Sequence, residues 1–359
     1  MARIVGIDVT RGLAVLGMFT AHVGAVAPEF WSTTGWLQVA DGRSAAAFAL
    51  LAGVSAALLS GGSLPAAALG RARARIAVRA VLVGLLGLVL VLLGTPVVII
   101  LPGYAVMFLA VTVALGWSRP TLLAAAAAVL LVGPPLVQAA RRAGLPERSY
   151  LMDLLAGPYY PAGVWVAYLL VGLAVGRTDL SGPATRRTLL LVGGGCAIVG
   201  YGAAALAMRT VDSPSVRALL TAEPHTDTGP EVLGNTGVAL AVLAVCLVAA
   251  ERAPHLVAPL AATGALALTV YSTQIVALAI FGPGVVRRPS DNALLATFVV
   301  VTLVATTLWR SVWGRGPLER LLHEASTRTA DALVAPVPPV APVLAAPGGS
   351  APPPGDTGG

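Results

Sequence analysis

Charged residues are scarce in this sequence. Asp, Glu, Lys and Arg make up 11% of the 359 residues, and 57% are hydrophobic. Soluble domains carry about 25% charged residues, and a mean hydropathy of +0.85 leaves too little polar surface for a soluble fold. Apolar runs of roughly 18 residues or more recur along the chain. We therefore predict an all-α, polytopic transmembrane helix bundle in the cell membrane.

Lysine is absent, so the net charge of +7 rests on arginine alone. The arginines lie mostly between the apolar runs, and nothing indicates nucleic-acid binding. The two cysteines, Cys196 and Cys246, lie inside apolar runs, which excludes a disulfide framework. The four histidines are scattered and show no metal-ligand spacing, so no metal is expected.

Ten apolar segments are long enough to be membrane spans. Their limits are 4–26, 42–60, 77–95, 97–116, 120–138, 159–176, 188–208, 230–250, 257–281 and 292–312. The first is expected to stay uncleaved, because Asp8 and Arg11 interrupt what would be a signal peptide.

Arginine asymmetry predicts the orientation of the bundle. With the N-terminus inside and Arg11 left aside as intrahelical, 14 arginines fall on the inner side and 8 on the outer side. The positive-inside rule then places both termini in the cytosol. Residues 1–330 should form the bundle with a short cytosolic C-terminal helix. The Pro/Ala/Gly-rich segment 331–359 should be a disordered cytosolic tail.

The first span, "IVGIDVTRGLAVLGMFTAHVGA", carries three ionisable residues on one face. Asp8, Arg11 and His22 follow helical spacing, with about 21 Å of rise from Asp8 to His22. Such groups cost about 2.5–3.5 kcal/mol each at membrane depth, so they face partners or a cavity. For Asp8 and Arg11 the alternative to a ligand site is an ion pair that locks the bundle. For His22 the alternative is an interfacial histidine bonded to a carbonyl.

The second span brings polar residues to the same depth as His22. Asp41 and Arg43 stand at its outer mouth, after a short connection. A carboxylate beside a histidine fixes its tautomer and raises its basicity. We predict His22 as a general base or acyl carrier, Asp41 as its orienting partner and Arg43 as a substrate ligand. Asp41 as a simple helix N-cap is the alternative.

The two opening spans also carry a family resemblance. "GIDVTRGLAVLGMFTAHV" and "LQVADGRSAAAFALLAGVSAALL" resemble the opening of the heparan-alpha-glucosaminide N-acetyltransferase-like membrane proteins and their uncharacterised bacterial relatives. "ALALTVYSTQI" and "WGRGPLERLLH" resemble the closing motifs of those bacterial relatives. The resemblance implies a bundle of ten or eleven helices that transfers an acyl group from cytosolic acyl-CoA, chiefly acetyl-CoA, to an acceptor on the far side. The lysosomal enzymes carry a histidine before the second helix, but residues 26–40 contain none. Either His22 replaces it or this branch acts differently.

Further residues are assigned to the donor and acceptor on this basis. The cytosolic mouth would bind the nucleotide end of acyl-CoA through Asp8, Arg11, Arg71 and Arg75. The remaining substrate path is predicted to include Tyr104, Tyr160, Glu231, Asn235, Tyr271 and Gln274.

These substrate residues have competing explanations. Tyr104 follows a Pro-Gly break predicted inside the fourth span, where freed carbonyls would line a cavity. Tyr160 fits an interfacial aromatic belt as well, and Tyr271 and Gln274 fit interhelical hydrogen bonding. Glu231, with Asn235 one turn on, also suits the dipole at a helix start.

The other histidines are expected at the surface. His225 in an acidic outer loop and His255 in a cytosolic turn are both predicted to be solvated, and His323 should lie on an amphipathic cytosolic helix.

Two other classes of function remain open. Intramembrane charges and a broken helix also suit a transporter or flippase for a polar or lipid-linked metabolite. A scaffold that uses the tail as a linker is a third class. The expected partners are the lipid bilayer and a small-molecule or glycan acceptor, with a homodimer as an option.

Overall fold

A computed structural model describes residues 3–61, 66–287 and 291–334, so residues 335–359 of the predicted tail (331–359) lie outside the described residues. Within them every regular element is helical, which confirms the all-α class. The α-helices are α1 Val5–Val23, α2 Arg43–Ser60, α3 Ala66–Val91, α4 Leu101–Ala114, α5 Arg119–Arg142, α6 Tyr150–Ala156, α7 Ala162–Val175, α8 Pro183–Thr210, α9 Pro214–Leu220, α10 Gly229–Arg252, α11 Pro254–Ala265, α12 Ala267–Phe281, α13 Gly284–Arg287, α14 Ala293–Trp313 and α15 Pro317–Leu333. Two short 3₁₀ helices span Gly35–Ala40 and Pro146–Arg148.

The perimeter of the bundle, around its long axis, is apolar. Leu131 on α5, Ile198 on α8 and Leu308 on α14 are each more than half exposed. Helices α2 and α10 are instead largely enclosed by their neighbours. A helix that presents large aliphatic side chains to its surroundings needs a hydrocarbon solvent. The exposed faces are therefore lipid-facing, and the chain is a membrane protein.

Among the residues that the structure describes, six helices are long and apolar enough to cross a bilayer, or seven if the bent pair α11–α12 counts as one span. Helices α4 and α7 are apolar but have 14 residues each, a rise of about 21 Å against a hydrocarbon core of about 30 Å. The count of ten spans and the orientation stay predictions. The end of the bundle where α1 ends and α2 begins is called the outer end below, and the opposite end the inner end.

Two of the predicted spans differ from the structure in their course. The Pro-Gly break predicted inside the fourth span is wrong, because Pro102 lies in the first turn of α4, where no backbone donor is needed. The non-helical stretch is residues 97–100, just before it. The ninth span, predicted as one helix over 257–281, is broken at Leu266, and α11 and α12 meet at 69°.

Glycines allow α1 to pack closely against α11. A Cβ placed on Gly264 would lie 1.8 Å from the carbonyl oxygen of Asp8, and one on Gly12 would lie 2.1 Å from that of Leu260. Only a residue without a side chain permits such contact between helix backbones, and small residues commonly mediate helix packing in membranes. This contact fixes α1, with its polar face, against the broken helix pair.

Helix α15 closes the inner end of the same region. The Glu319 carboxylate accepts hydrogen bonds from the backbone N–H groups of Leu268 and Thr269 at 2.8 and 3.0 Å. It also accepts one from the Thr269 hydroxyl at 2.6 Å. These are the unpaired donors at the start of α12, so Glu319 caps the half-helix that the break creates. Arg75 on α3 donates to Thr327 of α15 at 3.0 Å, which holds α15 from its other side.

Candidate active site

A cavity of about 190 Å³ lies at the outer end of α1, and it is called the outer cavity below. Among the described residues, five connections at this end contribute to its wall. The contributing residues are Ala40, Asp41 and Gly42, then Pro96, Val97 and Val98, then Tyr159 and Tyr160, then His225, and finally Val286. From the helices come Met18, Ala21 and His22 on α1 and Ser44 and Ala45 on α2. The chain thus places His22 and Asp41 in one cavity, as the sequence predicts.

His22 is held by a residue of the broken helix pair. Its Nδ1 lies 3.2 Å from Oε1 of Gln274 on α12. A carboxamide oxygen only accepts hydrogen bonds, so Nδ1 carries the proton and Nε2 keeps its lone pair. In its neutral form, His22 therefore has Nε2 as its basic nitrogen. The orienting partner predicted for it was Asp41, but the observed partner is Gln274.

Asp41 pairs with a second histidine instead. Its Oδ1 lies 3.4 Å from Nε2 of His225, whose ring meets the edges or faces of Tyr159 and Tyr160 at centroid distances of 5.9 and 5.3 Å. The expectation that His225 is solvated is wrong, because its side chain is only 21% exposed. Its Nδ1 is buried and makes no hydrogen bond with the described residues.

The Asp41–His225 contact changes the titration of both groups. Burial lowers the pKa of His225, but the contact with Asp41 and the charges of Glu231 and Asp227 outweigh it, so this pKa lies above its ordinary value. The contact with His225 is the largest of the effects that hold the pKa of Asp41 below its ordinary value. An imidazolium–carboxylate pair thus persists to a higher pH than an isolated histidine would allow.

The loop that carries His225 is held by buried carboxylates. Glu231 is 3% exposed, and it accepts hydrogen bonds from the backbone N–H groups of His225 and Asp227 at 2.9 and 2.6 Å. Asp227 in turn accepts from Arg141 at 2.8 Å and from the indole of Trp165 at 2.7 Å. Glu231, predicted as a substrate ligand, is therefore occupied in shaping the loop.

Backbone strain is concentrated at this site. Within the described residues, the non-glycine residues with positive φ are Tyr160 at 54°, His225 at 63° and Asp227 at 57°. Left-handed conformations cost non-glycine residues free energy and persist where the surrounding contacts enforce them. The carboxylate contacts of the loop supply that enforcement for His225 and Asp227.

Below the cavity, several polar atoms lack partners. The hydroxyls of Tyr104 and Tyr271 and the amide nitrogen of Gln274 are buried, and none makes a hydrogen bond with the described residues. Buried polar groups are ordinarily paired, so such a group implies a water, a ligand or a second conformation. These three residues, together with Tyr160, are the predicted substrate residues that gather at or beneath the cavity.

Arg43 and Asn235 lie on a different side of α2. Arg43 donates through Nε to the Tyr201 hydroxyl at 2.9 Å and through Nη1 to the carbonyl of Gln38 at 3.2 Å. The Tyr201 hydroxyl donates to Asn235 at 2.6 Å. Neither Arg43 nor Asn235 lines the outer cavity.

The residues predicted to bind the cofactor have protein partners at the inner end. Asp8 pairs with Arg11 at 3.1 Å and with Arg3 at 2.5 Å, as the ion-pair alternative predicts. Arg11 also donates to the Ser55 hydroxyl at 2.8 Å. The inner arginines of α3 instead meet α15, where Arg71 lies 3.4 Å from Asp331.

The fold and the site together define a polytopic helical membrane protein with an acid–base cavity at one end. Residues 3–199 match the family described as heparan-alpha-glucosaminide N-acetyltransferase, catalytic. Residues 175–329 match a family described as protein of unknown function (DUF418). The first match covers more than half of the chain, so the protein belongs to the heparan-alpha-glucosaminide N-acetyltransferase catalytic family, and its function is that of a membrane acetyltransferase-like transferase. No curated protein and no solved structure matches the chain.

The two matched regions meet at this site. His22, Asp41 and Tyr160 belong to the first, whereas His225 and Gln274 belong only to the second. The sequence offered one hint of His225, because it is the only histidine besides His22 on the predicted outer side.

Proposed function

We propose that the protein transfers an acyl group, acetyl in the first instance, from acyl-CoA at the inner end to a hydroxyl or amine acceptor in the outer cavity. The observation that carries this proposal is the hydrogen bond from His22 to Gln274, which leaves the second ring nitrogen of His22 basic. A histidine that acts as a general base must be unprotonated and must have an unbonded lone pair within reach of the nucleophile. The bond from Nδ1 to Gln274 leaves Nε2 as the nitrogen with the lone pair, and His22 borders the cavity that would hold the acceptor.

The transfer consists of one proton movement and one exchange of bonds. Nε2 of His22 takes the proton of the acceptor O–H or N–H as that atom attacks the thioester carbonyl. The carbon–sulfur bond then breaks, and the departing sulfur takes the proton from His22 and leaves as the CoA thiol. A base positioned in this way contributes about 10²- to 10⁴-fold to the rate.

The protonated His225 of the Asp41–His225 pair places a cation at the same cavity. Burial lowers the pKa of His225, but the contact with Asp41 and the nearby carboxylate charges raise it above its ordinary value, which favours the imidazolium form. A cation fixed beside the acceptor would stabilise the oxyanion that forms when the thioester carbonyl is attacked. Asp41 thereby acts through His225 rather than through His22.

An apolar groove between α12 and α14 offers a route for the donor from the inner end. This α12–α14 groove has a volume of about 410 Å³ and runs from Trp309 and Pro317 at the inner end to Phe281 at the outer end. Gln274, which holds His22, lines its middle. The groove follows α14 for about 22 Å, from Leu294 to Trp309. A pantetheine arm lying in it would bring a thioester to the far side of Gln274.

The inner end of this groove has the charge that a nucleotide phosphate requires. Trp309 donates to the backbone carbonyl of Arg315 at 3.1 Å, which places Arg315 beside the groove. Burial lowers the pKa of nearby His323, and the positive charges of Arg315, Arg79 and Arg75 lower it further. Such a concentration of cations favours phosphate binding. The proposal retains Arg71 and Arg75 as donor ligands and replaces Asp8 and Arg11 with Arg79 and Arg315.

The decisive experiment measures release of the CoA thiol from acetyl-CoA by protein in proteoliposomes. We expect His22→Asn to lower the rate by about 10²-fold or more. His255→Asn is the matched control, because His255 is exposed at the inner end of α11, and it should not change the rate. Turnover by His22→Asn at the wild-type rate would remove His22 from the mechanism.

The transporter or flippase alternative is favoured by one observation, the 69° break between α11 and α12. Broken helices in transporters direct their N-terminal N–H groups at substrate. In this chain the backbone N–H groups of Leu268 and Thr269 donate hydrogen bonds to Glu319, so these two groups are not free to bind a substrate. Uptake of a labelled metabolite by proteoliposomes without acyl-CoA would support transport over transfer.

A further inference from the structure

A second apolar groove faces the membrane beside the outer cavity. This α1–α2 groove has a volume of about 770 Å³, and helices α1, α2, α10 and α14 all contribute to it. Along α1 it extends from Thr10 to Thr20, a rise of about 15 Å, which is half of the hydrocarbon thickness. Its walls are mainly aliphatic, with Val238 and Val242 on α10 and Leu13 on α1. The groove therefore has the depth of the outer leaflet and the polarity of a lipid chain.

The outer mouth of the groove carries one cation. Arg43 lines it, and within the described residues no carboxylate forms a salt bridge with this guanidinium. Its Nε and Nη1 are bonded to Tyr201 and Gln38, whereas Nη2 has no partner among the described residues. Trp36, 54% exposed, lies at the same mouth. The guanidinium also lies 4.9 Å from the centroid of the Tyr201 ring. Amphipathic aromatic rings favour the headgroup region, so this cation, which has no carboxylate partner among the described residues, lies where lipid phosphates lie.

Only a thin wall separates this groove from the outer cavity. Ala40 and Ser44 line both of them. The helices are also close at this point, since a Cβ on Gly17 would lie 2.1 Å from the Ser44 hydroxyl oxygen. A headgroup bound at Arg43 is thus one small residue away from the cavity that His22 borders.

We propose that the acyl acceptor is a lipid whose chain lies in the α1–α2 groove and whose anionic phosphate is bound by Arg43. This inference rests on the proposed function and names its acceptor class. A hydroxyl or amine on the headgroup passes over Ser44 into the outer cavity. Its nucleophilic atom forms the new bond to the acyl carbon, and its proton goes to His22. The thioester carbon–sulfur bond breaks, and sulfur leaves with that proton as the CoA thiol. The groove supplies the affinity for the chain, and Arg43 supplies the selection for negative charge.

Binding is tested with phosphatidylglycerol, which has a phosphate and free hydroxyls, against zwitterionic phosphatidylcholine. Native mass spectrometry of the full chain should show retention of phosphatidylglycerol. Arg43→Gln should reduce that preference about tenfold or more, because one charge-assisted hydrogen bond corresponds to at least that factor. Arg43→Lys should keep most of it. Equal retention of both lipids by the wild type, unchanged in Arg43→Gln, would overturn the proposal.

The groove itself is tested by filling it. Val242→Phe should displace both lipids from the site, whereas Val245→Phe should not, because Val245 is exposed on the same helix outside the groove. Equal lipid retention by these two variants would contradict the placement of the chain.

The acceptor role is tested by following label from radioactive acetyl-CoA in proteoliposomes that contain phosphatidylglycerol. Protein-dependent label in the extracted lipid, lost in Arg43→Gln and Val242→Phe, supports the proposal. Release of CoA thiol with label only in water-soluble product overturns the lipid acceptor and leaves the proposed function intact. Charge-selective lipid binding without any release of thiol overturns the proposed function instead and leaves a lipid site.

Discussion

The contact between Glu319 and the start of α12 allows a quantitative prediction that is independent of the reaction. The Glu319→Gln substitution keeps the shape of the side chain and one carbonyl acceptor but removes the charge. Glu319 accepts three hydrogen bonds, from two backbone N–H groups and from the Thr269 hydroxyl. A hydrogen bond to a charged group contributes about 1.5–3 kcal/mol.

Loss of the equivalent of one such bond, about 2 kcal/mol, should favour local opening of the first turn of α12. Since 1.36 kcal/mol corresponds to a factor of ten, amide exchange at Leu268 and Thr269 should become about 30-fold faster. Hydrogen–deuterium exchange with mass spectrometry on the full chain in nanodiscs would measure this factor.

Glu324→Gln is the matched control on the same helix. Glu324 pairs with Arg328 one turn away at 3.6 Å, and both side chains are exposed. Exposed pairs of this kind contribute about 0.3–0.5 kcal/mol, so exchange in α12 should change by no more than about twofold. If Glu319→Gln leaves exchange in α12 within the range of this control, Glu319 does not cap the half-helix.

Three further substitutions test the site and the packing. His225→Gln should lower the melting temperature below pH 6.5, because the protonated histidine gains most from Asp41. The effect should shrink as the pH rises through the raised pKa of His225. A loss of stability that is independent of pH would exclude the ion pair. Asp227→Asn should reduce the free energy of unfolding by about 3 kcal/mol, because the arginine that Asp227 pairs with keeps an uncompensated charge; an unchanged melting temperature in detergent would contradict this. Gly264→Val should lower the melting temperature strongly, because its Cβ would lie 1.8 Å from the carbonyl oxygen of Asp8. Gly195→Ala should not, because a Cβ there has no atom within 4 Å. Equal effects would refute the close packing of α1 on α11.

The helical class was predictable from composition because the bilayer restricts spanning structures to those that satisfy their own backbone. The predicted course of the fourth and ninth spans is wrong where contacts with a residue distant in sequence determine the backbone. Hydropathy is continuous across Leu266, yet Glu319 accepts hydrogen bonds from the N–H groups of Leu268 and Thr269 and thereby stabilises a break. Apolar character also runs on through residues 97–100, which are not helical. Local sequence carries neither piece of information.

The candidate site was predictable only in part, for a similar reason. His22 and Asp41 were placed at one depth because they flank a short connection. The partner of each depends on contacts across the bundle. Gln274 reaches His22 through the packing of the broken pair, and His225 reaches Asp41 because Glu231 bonds its loop from below. A histidine in an acidic loop is solvated unless such contacts bury it.

The polar face of α1 combines two chemically different sites. At the inner end Asp8 and Arg11 are mutually neutralised, which suits a structural lock, because charges at membrane depth need compensation. At the outer end His22 has a neutral partner and keeps a free nitrogen, which suits proton transfer. The two sites should therefore separate under substitution. Arg11→Gln leaves Asp8 with less compensation, and it should lower the melting temperature while the folded fraction keeps its rate of acyl-CoA turnover. His22→Asn should lower the rate of turnover by about 10²-fold or more with little change in melting temperature. If Arg11→Gln were as stable as the wild type but inactive, Arg11 would belong to the reaction and the inner pair would not be a lock.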